Sequence, residues 1–289
     1  MQPDSPFRVV KTKAELRAAV ADWRANGARI GFVPTMGALH RGHLSLVDIA
    51  RQRGGKTVAS IFVNPAQFAA HEDLDTYPRT LEADLKALEE TGCDLVYVPS
   101  AREIYPEGFA TSVSVSTVAA GLESVSRPHF FGGVATVVAK LFGQVRPDYA
   151  VFGEKDYQQL LVVRRMAADL DLDIEIIGGA TAREADGLAM SSRNVKLSAD
   201  GRIVAGRLNA ALARLTGRLS AGDEASAALS GSRAELDAAG FDRVDYLEIR
   251  CAETLAPLGD GPIDRPARVL AAVYVDGVRL IDNMGAEPG

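Results

Sequence analysis

Between residues 28 and about 180, short β-rich apolar runs take turns with stretches in which apolar side chains recur every three to four positions. ARIGFVP is followed by HLSLVDIARQRG, TVASIFV by RTLEADLKALEETG and then DLVYVPS; later YAVFG is followed by YQQLLVVRRMAADL and DIEII. Short apolar runs bounded by turn signals read as buried strands, and the longer periodic stretches as helices that cover them. Strand and helix in alternation predict a parallel sheet joined by right-handed crossovers. TSVSVSTV at 111–118 alternates with a period of two, which predicts an additional strand.

After about residue 182 the pattern changes. Two alanine-rich helical segments, RIVAGRLNAALARLTGRL and EASAALSGSRAELDAAG, precede DYLEIR and the pair RVLAAVYV and VRLIDN, which flank Asp276-Gly277. An Asp-Gly pair between two apolar runs is a strong signal for a two-residue hairpin. The fold class expected is therefore α/β, a parallel-sheet domain over 1–181 with a smaller α+β domain over 182–289.

Composition narrows the partners. With 289 residues, 47% of them hydrophobic, the chain can bury the cores of two ordinary domains. Its 32 basic against 38 acidic residues give a net charge of −6, with no basic block to grip a phosphate backbone, so no nucleic acid is expected as main partner. Cys93 and Cys251 stand far apart, which offers no disulfide framework or CxxC metal site and suits a reducing cytosol. The start, MQPDSPFRVV, lacks a basic stretch followed by an apolar one, and no run reaches the ~18 apolar residues of a membrane span. The expectation is a soluble cytoplasmic protein with no membrane partner.

Four segments carry candidate chemistry. His40 and His43, half of the four histidines, follow the strand-like ARIGFVP and open a helix. In an open parallel sheet ligands gather at the carboxyl ends of strands, where a helix N-terminus offers unpaired N–H groups to anions. Pro34, Gly37 and Gly42 suit a turn that brings backbone close to a ligand, and together these residues suggest a phosphate site. Two other readings stay open: both imidazoles as polar packing groups, or an HxxH metal pair, although His71 and His129 stand in unrelated contexts. The second segment, FGEKDYQQLLVV, brings Lys155, Asp156, Gln158 and Gln159 to another strand end. The third places Ser191, Ser192 and Arg193 in a loop suited to clasping phosphate oxygens, and the fourth, FVNPAQF, places Asn64 and Gln67 at the same edge. Neither GxxxxGK[ST] nor a well-formed GxGxxG is present, so the nucleotide site implied is of another design.

HxGH after the first strand and a serine-rich loop after the last resemble the nucleotidyltransferase superfamily with a Rossmann-like domain. Six motifs narrow the resemblance: PTMGALHRGHLSLV, FVNPAQF, YPRTLEADL, RPHFFGGVATVVAKLF, VFGEKDYQQL and MSSRNVKLS. In this order they resemble the pantothenate synthetase (pantoate–β-alanine ligase) family over nearly the whole chain. The resemblance implies that pantoate and ATP give pantoyl adenylate and pyrophosphate, and that β-alanine then displaces AMP to form pantothenate. ATP, Mg²⁺, pantoate and β-alanine are the small molecules implied, and a homodimer is the implied assembly.

Carried over by position, the resemblance assigns ATP contacts to Met36, Gly37, Ala38, Leu39, His40, Arg41, Gly42 and His43, with His43 as proton donor and His40 on the phosphates. It assigns further ATP contacts to Gly153, Glu154, Lys155, Asp156, Ala182, Met190, Ser191, Ser192 and Arg193. His40, His43, Lys155 and Arg193 are the implied catalytic set. Gln67 and Gln159 are matched to pantoate, Asn64, Tyr77 and Arg127 to the intermediate and the amine, and Asp84 to a position near magnesium. Ala66 and Ala182 stand where the family often carries bulkier residues, which bears on pocket shape. Two rival functions remain: a nucleotidyltransferase forming a stable dinucleotide or CDP-type product, and a module that binds ATP without turnover.

Overall fold

A computed structural model describes residues 7–68 and 78–289. The strands are β1 Arg8–Val10, β2 Ile30–Thr35, β3 Lys56–Ile61, β4 Leu95–Tyr97, β5 Tyr149–Gly153, β6 Glu175–Gly179, β7 Arg243–Cys251, β8 Ala267–Val275 and β9 Val278–Ala286. The helices are α1 Lys13–Ala25, α2 Arg41–Gln52, α3 Leu81–Glu90, α4 Ala101–Ile104, α5 Glu123–Ser126, α6 Phe130–Val145, α7 Tyr157–Asp169, α8 Ala199–Ser220 and α9 Ala225–Ala238. The chain forms two compact units: one runs to Glu154 and takes in Val162–Ala180, and the other joins Lys155–Leu161 to Thr181–Gly289.

In the first unit six strands pair in parallel in the order β1-β4-β3-β2-β5-β6. β2 and β3 pair from Ile30 opposite Lys56 to Thr35 opposite Ile61, and both are buried on nearly every residue, as interior strands of a parallel sheet are. Strand order steps outward from β2 through β3 to β4, then returns to the other side of β2 for β5 and β6. The carboxyl ends of β2 and β5 therefore flank a topological switch point, where open α/β sheets bind ligands.

Several elements here escaped the sequence pattern, among them β1, α1 and the 16-residue α6. β1 is three residues long with two of them exposed, so it shows no apolar run. α1 buries Leu16, Ala19, Val20 and Trp23 on one face, and its first turn is closed by Thr12 and Glu15, each side chain accepting the other's backbone N–H. The strand expected at 111–118 does not form. The alternation persists in burial, with Val113 and Val115 partly covered between exposed serines, but among the described residues the segment pairs with no strand. Val113 N instead donates to Thr136 Oγ1 on α6 at 2.9 Å, so a side chain takes the place of a ladder.

In the second unit β7, β8 and β9 form an antiparallel sheet in that order. Asp276 and Gly277, at φ 53° and 68°, make the two-residue turn between Val275 and Val278. Leu208, Leu212, Leu215 and Leu219 of α8 recur at helical spacing and share a core with Val269, Ala271 and Val273 of β8. Cys93 and Cys251 are both free thiols and both buried.

Candidate active site

β2 ends in a turn that no ordinary side-chain sequence would adopt cheaply. Gly37 and Ala38 have φ of 82° and 51°, and a Cβ on Gly37 would lie 3.1 Å from both Asp84 Oδ2 and Ile61. Asp84, on α3 and only 3% exposed, holds this turn: its Oδ2 accepts from Ala38 N at 2.9 Å and its Oδ1 from Leu39 N at 2.8 Å. Thr80 Oγ1 lies 3.2 Å from both oxygens.

His40 then caps α2. Its Nδ1 accepts from Gly42 N at 3.1 Å, while His43 Nδ1 accepts from His40 N at 3.3 Å, a reciprocal box built from two imidazoles whose centroids are 4.1 Å apart. A ring nitrogen that accepts carries no proton, so each neutral ring holds its proton on Nε2. Both histidines thus serve the helix through Nδ1 and carry their proton on Nε2. The packing-group reading is true of one ring edge, and the phosphate reading needs only the other.

A second cluster follows β3. Asn64, 1% exposed, donates through Nδ2 to Gln67 Oε1 at 2.9 Å and to Gly133 O at 3.1 Å, and accepts at Oδ1 from Tyr105 OH at 2.8 Å. Burial pushes the Tyr105 phenol up to about 12, with the Asn64 hydrogen bond pulling the other way. Arg127 donates to the Gln67 carbonyl at 3.1 Å, with its guanidinium 4.0 Å from the Phe130 centroid and 3.9 Å from Glu123. Tyr105 and Gly133 were not anticipated. Only the paired glycines at 132–133 hinted at a close approach, and Gly133 proves to lie so near the Ala66 carbonyl that a Cβ would sit 2.2 Å from its oxygen.

In the second unit Lys155 stands two residues beyond β5, its side chain 20% exposed and 3.9 Å from the Asp156 carboxylate. Gln159 is half-buried and Gln158, at 3% exposure, is buried. The segment from Ala182 to Met190 doubles back on itself, with Met190 N donating to Ala182 O at 2.9 Å and Arg183 bridging Ala189. Ser191, Ser192 and Arg193 follow, all half-buried, with Ser191 Oγ accepting from Arg193 N at 3.2 Å. Gly153 and Glu154 complete the stretch before Lys155. Tyr77 and His71 lie outside the described residues.

The sequence over residues 8–285 matches the family model described as pantoate–β-alanine ligase. The chain belongs to the pantoate–β-alanine ligase family. Its activity is the family's, an ATP-driven amide ligation of pantoate to β-alanine. Pantothenate synthetases of Maricaulis maris and Caulobacter vibrioides are 56% and 54% identical to it; the alignments cover 96% of this chain and 96% and 97% of theirs. Among solved structures, a pantothenate synthetase of Thermus thermophilus superposes with a TM-score of 0.91 at 49% identity, covering 97% of this chain and all of that one. A pantoate–β-alanine ligase of Francisella tularensis, complexed with βγ-ATP and β-alanine, has a TM-score of 0.80 at 31% identity over 96% of this chain and 97% of its own. The ligase architecture of those structures is that of this chain, a six-stranded parallel sheet with a three-stranded antiparallel sheet after it.

Proposed function

We propose that this ligase works through a pantoyl adenylate, with the phosphates of ATP received at the amino end of α2. The observation that carries the proposal is the reciprocal cap of His40 and His43, which puts two imidazoles, each with its proton on Nε2, at a helix N-terminus by the sheet's switch point. His43 meets the departing pyrophosphate, where the family resemblance puts a proton donor, through a hydrogen bond from its Nε2–H without surrendering the neutral ring's one proton, and His40 is its neighbour on the phosphates. Met36 to Gly42 bring backbone to the nucleotide. Gly153, Glu154, Lys155, Asp156, Ala182 and Met190 to Arg193 make the remaining ATP contacts, with Lys155 and Arg193 as the cations. Gln67 and Gln159 hold pantoate, and Asn64, Tyr77 and Arg127 complete the surroundings of the intermediate and the amine. Neutral amides suit pantoate because they orient its oxygens without adding charge near its carboxylate.

In this reading residues 1–181 bind ATP and pantoate, although Lys155–Leu161 within them belong to the second compact unit, and 182–289 carry Met190 to Arg193 as a lid. Magnesium enters with ATP as part of the substrate. Asp84 has both oxygens engaged by loop amides, and among the described residues no three His, Cys, Asp or Glu side chains gather as ligands, so no step is routed through a resident ion. Any influence of Asp84 on the metal is through the loop it holds. A cytoplasmic location is supported by the use of ATP and by the two free thiols; a homodimer is supported by the family resemblance alone.

No protein nucleophile is called for, because the pantoate carboxylate attacks the α-phosphorus itself. Enzyme given ATP, Mg²⁺ and pantoate without β-alanine should release pyrophosphate in about one equivalent per site and then slow, as an accumulated intermediate requires. Adding β-alanine should discharge it as pantothenate and AMP. Release of pyrophosphate only when β-alanine is present, or products of ADP and phosphate, would show the mechanism to be wrong.

A further inference from the structure

Two adjacent residues of β9 hold both of the second unit's proposed nucleotide segments. Asp282, 2% exposed, accepts from Nη1 and Nη2 of Arg183 at 2.7 and 3.0 Å. The same guanidinium donates to Gly187 O at 2.9 Å, which fastens the 182–190 turnback that leads into Met190 to Arg193. Asn283, 3% exposed, donates from Nδ2 to the Lys155 carbonyl at 2.8 Å, and its Oδ1 accepts from Arg268 Nε at 2.6 Å. Arg268 in turn lies 4.0 Å from the centroid of Tyr157, whose hydroxyl donates to Ala252 O at 2.9 Å.

The orientation of the Asn283 amide is fully determined. A carbonyl can only accept and a guanidinium can only donate, so only one setting of the amide satisfies both. Successive side chains of a strand project to opposite faces, so β9 faces the turnback with Asp282 and the Lys155 main chain with Asn283. A three-stranded sheet has no need of such groups for its own cohesion, since apolar residues of equal volume stabilise a core as well or better. Their geometry serves the two segments they join.

We propose that Asp282 and Asn283 are positioning residues for the triphosphate. They fix the spacing between Lys155 and the Met190 to Arg193 loop, so that the Lys155 ammonium and the Arg193 guanidinium meet ATP as one preset pair. The inference rests on the ATP roles proposed above for those two cations. Preset geometry matters because a displacement of about 1 Å can reduce a rate by up to about a hundredfold.

The test is a cycle of four proteins: the parent, Lys155→Ala, Asn283→Asp and the double variant. Asn283→Asp keeps the size of the side chain and its acceptance from Arg268 but can no longer donate to Lys155. Each protein is assayed for pyrophosphate release from ATP, Mg²⁺ and pantoate, and for discharge of preformed intermediate by β-alanine. Asn283→Asp should slow pyrophosphate release roughly tenfold, leave the KM for pantoate and the discharge rate unchanged, and add nothing to the loss in Lys155→Ala. Additive losses, or a lowered melting temperature with parental kinetics, would overturn the proposal. If Asn283→Asp does not fold, Arg268→Lys takes its place in the cycle, since it keeps the charge but removes the directed Nε–H that sets the Asn283 amide, and the same non-additivity is required. Parental pyrophosphate release in Lys155→Ala alone would defeat the ATP assignment itself. A crippled Lys155→Ala beside an unaffected Asn283→Asp would sink only the positioning role.

Discussion

The amino group of Asn64 is shared between the side-chain oxygen of Gln67 and the carbonyl of Gly133, at 2.9 and 3.1 Å. Because a carbonyl only accepts, Gly133 fixes which end of the Asn64 amide is nitrogen, and Asn64 then fixes Gln67 with its oxygen inward. The end of Gln67 left to meet a substrate is Nε2, a donor. Gln67→Glu keeps the bond from Asn64 but replaces that donor with a charged acceptor. It should fold as the parent does and raise the KM for pantoate by roughly thirtyfold or more, about 2 kcal/mol, with little change for ATP. Steady-state kinetics with each substrate varied decides it; an equal rise in both KM values would contradict the assigned polarity.

Asp84→Asn tests the turn at 37–39. An amide offers one acceptor where the loop uses two, so the N–H of Ala38 or Leu39 would face a donor. We expect a loss of about 1–3 kcal/mol in unfolding free energy and a raised KM for ATP that extra Mg²⁺ does not restore. Recovery with Mg²⁺ would instead make Asp84 a metal ligand.

The two neighbouring glycines of α6 should behave oppositely. A Cβ at Gly133 collides with the Ala66 carbonyl, whereas one at Gly132 meets nothing within 4 Å. Gly133→Ala should lower stability by about 1–3 kcal/mol and disturb Asn64 and Gln67, while Gly132→Ala should be neutral or gain up to about 1 kcal/mol from helix propensity. Denaturant midpoints of the two variants give the comparison directly. Equal effects would mean that the close approach is not needed.

Burial raises Cys93 from 9.0 and Tyr105 from 10.0, each to about 12. Both groups are protonated in the fold and ionise more readily when unfolded. Their contribution to stability is complete below about pH 9 and is lost as pH climbs through about 12. Melting temperatures from about pH 8 to 11 should fall above about pH 9, less steeply in Cys93→Ala; a flat profile would mean that neither group is shielded in solution.

Which of these residues could be read from the sequence follows from distance along the chain. His40, His43, Asn64, Gln67 and Lys155 sit just past apolar strands, and strand ends are visible in the pattern. Their supports are remote: Tyr105 reaches Asn64 across 41 positions, Gly133 across 69, and Asn283 reaches Lys155 across 128. No local periodicity encodes such pairings. The failed strand at 111–118 has the same cause, since alternation reports that one face is covered but not by what. β1 is too short to alternate at all, and only its pairing with β4 makes it a strand.

The chain closes two helices with the same reciprocal box and chooses different side chains for it. On α1 the box is Thr12 with Glu15, so a carboxylate sits over the positive end of the helix and cancels its field. On α2 it is His40 with His43, and the first turn holds no acidic residue. The amides are satisfied in both cases, but on α2 the box itself adds no charge, and the nearby Asp84 carboxylate is engaged by the amides of Ala38 and Leu39. A glutamate there would have held the helix equally well and placed a negative charge where the phosphates are proposed to bind. The imidazoles let α2 begin as firmly as α1 while its amino end stays attractive to an incoming anion.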